Sequence, residues 1–79
     1  MQVARDSIRQ SKFDEETATL LEGIYDEVLD REPVKTADVA FAIADALSIM
    51  AGVGQKSPEQ LKRYAVSHAH SARFDGTSH

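Results

Sequence analysis

The stretch VAFAIADALSIMAG, residues 39–52, constrains this chain more than any other. From Val39 to Ala51 only Asp45 and Ser48 are polar. No segment of the sequence alternates apolar and polar residues as a half-buried strand would. The run is also too short for a membrane span, which needs about 20 apolar residues. It reads as a helix buried on more than one side, and a chain of 79 residues must find something to cover it. At that size a single core rarely supplies more than ~3–5 kcal/mol. Cysteine is absent, so neither a disulfide nor a thiolate metal site can act as a staple. Good helix packing, a partner or self-association remains.

Three main helices are expected. The first runs from about Glu15 to Arg31. Asp14 is placed to cap it, and Glu15 and Glu16 suit the positive end of its dipole. At 100° per residue, Ala18, Leu20, Leu21, Ile24, Tyr25, Val28 and Leu29 share one half of the cylinder, and acidic residues fill the other. Pro33 ends it. The second follows Thr36, an N-cap candidate, and carries a core stripe at Val39, Ile43, Ala46, Leu47 and Met50, with Gly52 as the expected left-handed C-cap. In the third, Ser57 should cap, Pro58 should take the first helical position, and Gln60 should close a capping box. It should run to about Arg73 with Leu61, Tyr64, Ala65, His68 and Ala72 inward. Residues 1–13 read as weakly structured, with a possible short helix through Val3, Ala4, Ser7 and Ile8, and residues 75–79 read as a flexible tail. The expected fold is therefore all-α: one small three-helix bundle over residues 1–79, with a possible short N-terminal helix.

Phe41 and Ile49 do not belong to the stripe of the second helix. They flank Asp45 and Ser48 on another side. The third helix offers only Leu61 and Tyr64 as large inward groups, so it looks too small to cover them. Either the N-terminal segment folds over with Val3, Ile8 and Phe13, or another chain does. The second option is preferred, because uncovered apolar patches mark interfaces. Phe41, Asp45 and Ile49 are accordingly the interface candidates.

Charge is distributed in blocks. Residues 1–12 carry Arg5, Arg9 and Lys12 against Asp6; residues 13–55 carry ten acids against Arg31 and Lys35; residues 56–79 carry Lys56, Lys62, Arg63 and Arg73 against Glu59 and Asp75. The total is −4. A basic–acidic–basic chain can neutralise itself on folding or pair with a neighbour that does the same.

Motifs that carry chemistry are thin. GVGQKS, residues 52–57, lacks the spacing of a phosphate-binding loop, because Gln55 separates Gly54 from Lys56 and a helix precedes it. Asp6–Ser7–Ile8 resembles the carrier-protein serine motif but lies at the wrong end of the chain. His68 and His70 are two apart, and paired helical zinc ligands stand four apart, so no metal or other cofactor is expected. No nucleophile–base motif is present. The outer face of the third helix gathers Lys62, Arg63, His70 and Arg73, the residues a helix-turn-helix reader would use. The preceding loop is longer than that motif's turn, and the acidic balance of the chain disfavours nucleic acid.

Residues 20–34, LLEGIYDEVLDREPV, resemble the first helix and Pro-Val turn of small anti-sigma factors of the NepR type through Leu21, Tyr25, Asp26, Val28, Glu32, Pro33 and Val34. Arg31 stands as an insertion against that pattern, Lys35 replaces its second proline, and the third helix lies outside it. The resemblance is local and no family assignment is made from it. The sequence thus points to a small non-enzymatic regulatory or adaptor protein that works through helical surfaces. Its expected partner is a protein, with homo-oligomerisation favoured, and membranes play no part. The first twelve residues contain no apolar run of a secretory leader, which suggests the cytoplasm. A nucleic-acid-binding protein using the third helix is the alternative.

Overall fold

The described residues of the computed structural model form four helices: α1 (Gln2–Gln10), α2 (Glu15–Arg31), α3 (Ala37–Gly52) and α4 (Pro58–Thr77). The structure describes residues 2–10 and 13–77, with side chains from 4 to 10 and from 13 to 72. No strand occurs among these residues.

The helix starts differ in how they are made. The Thr17 N–H donates to Asp14 Oδ1 at 2.8 Å, and the Val39 N–H donates to Thr36 Oγ1 at 3.3 Å, so Asp14 and Thr36 cap α2 and α3 as expected. Ser57 does not. Its N–H donates to Gln55 Oε1 at 3.0 Å, and its carbonyl accepts the first bond of α4 from the Leu61 N–H, also at 3.0 Å. The expected capping box with Gln60 is not formed among the described residues. The left-handed position after α3 is likewise Gly54, at φ 90°, rather than Gly52, which is still helical. The Gly54 N–H reaches the Ala51 carbonyl and the Gln55 N–H reaches the Met50 carbonyl, both at 3.0 Å. That pair of bonds is a Schellman closure, and it turns the chain directly into α4.

The N-terminal segment, expected to be weakly structured, is the nine-residue helix α1. Ala4 and Ile8 sit four apart and are completely buried. They join a core made by Leu21, Ile24, Tyr25 and Val28 of α2, Val39, Ile43 and Leu47 of α3, and Leu61, Ala65 and Ala69 of α4. Helices α2 and α3 each touch all three others, whereas α1 and α4 do not meet among the described residues. The most extensive pair is α3 with α4. The expectation that α4 is too poor in large residues to cover Phe41 and Ile49 holds, since both stay exposed, yet α4 packs extensively on the rest of α3. Both helices bury alanine (Ala40, Ala44, Ala46 and Ala51 on one, Ala65 and Ala69 on the other), and small side chains let helix backbones approach closely. Tyr64, expected inward, is instead 37% exposed, and Ala69 takes the inner place. Helix α4 also runs on to Thr77, past its expected end near Arg73. Of the expected tail, residues 78–79 lie outside the described residues.

Candidate interaction surface

Phe41, Asp45, Ile49 and Val53 recur every four residues at the outer side of α3 and its C-cap, so they lie along one line of the surface. Phe41 is 45% exposed and Ile49 50%. Helix α1 packs on α3 without covering them. Asp38 and Asp45 are exposed on the same helix, which carries no cation. Asp45 has no hydrogen-bond or ion-pair partner among the described residues. The face is therefore apolar and acidic together, with neither property compensated among the described residues.

The acidic face of α2 is in contrast heavily compensated. Arg5 grips Asp26 with two bonds, Nε to Oδ1 at 3.0 Å and Nη2 to Oδ2 at 3.1 Å, and reaches Glu22 Oε2 at 3.0 Å through Nη1. Arg9 bonds both oxygens of Glu15 at 3.0 Å, and its Nη2 lies 2.7 Å from Glu22 Oε1. Glu22, one of the acids on the half of α2 opposite its apolar residues, is buried under this clasp with a side-chain exposure of 7%. From the other side Lys62 of α4 reaches Glu27 Oε2 at 2.7 Å, with Arg31 Nη2 at 3.5 Å from Glu27 Oε1. The hydrogen bond from Lys62 holds the Glu27 carboxyl below its ordinary pKa. Both basic blocks thus close on the acidic one within a single chain. The sequence showed the blocks; the burial of Glu22 needs the docking of α1, which no local pattern reveals. Glu32 is a second buried acid, and its Oε1 has no hydrogen-bond partner among the described residues.

The basic candidates of α4 are consequently divided. Lys62 is engaged with Glu27. Arg63 and His70 lie on the exposed outer side, and the side chain of Arg73 lies outside the described residues. Arg5, Arg9 and Arg31 all pair with carboxylates, whereas Arg63 has no such partner among the described residues. Beside it Val66 is 44% exposed, and Glu59, Lys62, Arg63 and Val66 line a shallow open depression. On the flank of α4 turned away from Lys62, the Tyr64 and His68 rings stack with centroids 4.4 Å apart. His68 Nδ1 also lies 3.2 Å from the Tyr64 carbonyl. That contact occupies one ring nitrogen of His68 within its own helix. Among the described residues no three His, Asp or Glu side chains gather as a metal site would require, and no helix is long and apolar enough to cross a membrane.

No family model, no curated protein and no solved structure matches this chain.

Proposed function

We propose that this chain is a small regulatory or adaptor protein of the cytoplasm, without enzymatic activity, that works through helical surfaces and associates with itself through the outer face of α3. The observation that carries the reading is the exposure of Phe41 and Ile49 on the helix whose remaining sides are packed by α1, α2 and α4. A helix surrounded on three sides has no reason of its own to be apolar on the fourth, and exposed apolar groups of this size are favourable only when something removes them from water. The nucleic-acid alternative is weakened by the engagement of Lys62 with Glu27, which withdraws one of its cations.

Light scattering across a concentration series tests the proposal. The mass should rise above the 8.7 kDa of one chain as concentration increases, and Phe41→Glu should hold the protein at one chain throughout. An unmutated protein that stays monomeric at concentrations on the order of hundreds of micromolar would overturn the reading.

A further inference from the structure

The outer face of α3 carries Asp38, Phe41 and Asp45, at relative positions 0, 3 and 7. The outer face of α4 carries Arg63, Val66 and His70 at the same relative positions, with basic residues where α3 has acids and an exposed aliphatic residue where α3 has an exposed aromatic. Seven residues are almost two helical turns, ~10.5 Å of rise, so each trio lies along one side of its helix. Laid parallel on one another, the two trios match residue for residue: Asp38 to Arg63, Phe41 to Val66, Asp45 to His70.

We infer that the second copy covers α3 with the outer face of its α4, so that Phe41 enters the depression beside Val66. This rests on the self-association proposed above and specifies which faces meet. Two observations favour it over a contact of α3 with α3. An antiparallel α3 pair centred on the stripe sets Asp45 against Asp45, and α3 has no cation to relieve the repulsion. Arg63, in turn, is the arginine that folding leaves without a carboxylate among those with described side chains. The depression that would receive the Phe41 ring is lined by Glu59, Lys62, Arg63 and Val66, and cationic side chains with apolar stems cover an aromatic face well.

Charge reversal on each face provides the test, with far-UV circular dichroism confirming that each variant stays helical. Asp38→Lys with Asp45→Lys makes one chain, and Arg63→Glu with His70→Glu makes the other. Each alone should associate at least about tenfold more weakly than the unmutated protein, and an equimolar mixture should recover the association, because opposite charges then meet. A reversed α4 face that associates as tightly as the unmutated chain, while Phe41→Glu is still monomeric, would overturn this pairing and leave the self-association standing. An unmutated chain that never associates would remove the underlying reading instead. A second measurement leaves the charges untouched. The chain has no cysteine, so Phe41→Cys and Val66→Cys chains mixed under mild oxidation should form the mixed disulfide. Predominance of the Phe41→Cys homodimer would overturn the inference.

Discussion

Thr36 and Ser57 both stand immediately before a helix, and only Thr36 caps one. Its Oγ1 accepts from the Val39 N–H, whereas Ser57 is held through its own N–H by the Gln55 side chain. Thr36→Ala should therefore cost about 1 kcal/mol, within the usual range of an N-cap. Ser57→Ala should stay within about 0.5 kcal/mol, as a surface change without a lost bond does. Urea midpoints of the two variants decide it: equal losses would mean that the Ser57 hydroxyl also caps. The sequence could not separate the two residues, because Gln55 competes from outside the capping pattern. Gly54 gives the same lesson. Two glycines flank Val53, and only the closure on Met50 and Ala51 shows which of them takes the left-handed turn. By contrast, Phe41, Asp45 and Ile49 could be assigned to the outer face of α3 by counting, since they depart from the stripe that Val39, Ile43 and Leu47 define.

At the scale of elements, α2 begins and ends, and α3 begins, where capping and proline signals indicate, because those signals act within one turn of the chain. Helix α1 was faint in the sequence for a physical reason. Nine residues make a marginal helix in water, and this one is stabilised by where it docks. Ile8 is its largest buried group among the described side chains, at 0% exposure, with the Arg5 and Arg9 clasp beside it. Ile8→Ala should destabilise the whole fold by roughly 2–5 kcal/mol, the usual cost of truncating a fully buried aliphatic side chain. A loss below about 1 kcal/mol by urea denaturation would show that α1 does not contribute to the cooperative core. The extent of α3–α4 packing escaped the sequence for the opposite reason. Counting large residues undervalues alanine, whose contribution is to let two helices come close.

Across the whole molecule the charge blocks become an electrostatic lattice centred on α2, with arginines of α1 on one side and Lys62 on the other. Its pH dependence has a definite sign. The bond from Thr17 holds the Asp14 carboxyl below its ordinary value of 3.8, and the bond from Lys62 does the same for Glu27, whose ordinary value is 4.5. A depressed folded-state pKa contributes stability above the ordinary value and loses it as pH falls through the lowered one. Urea midpoints should therefore hold near pH 6 and decline from about pH 4.5 downward. Asp14→Asn should make that decline shallower, and an unchanged acid slope would show that the Asp14 cap does not titrate with folding. One feature of the packing also sets how fast this object assembles. Since α1 and α4 do not meet among the described residues, each described helix contact joins segments adjacent or next-but-one along the chain. The most extensive of them closes across the short turn that Gly54 makes. Little loop entropy is lost before such contacts form. A chain wired this locally should reach its native state on the order of microseconds to milliseconds, with the α3–α4 hairpin as its first lasting structure.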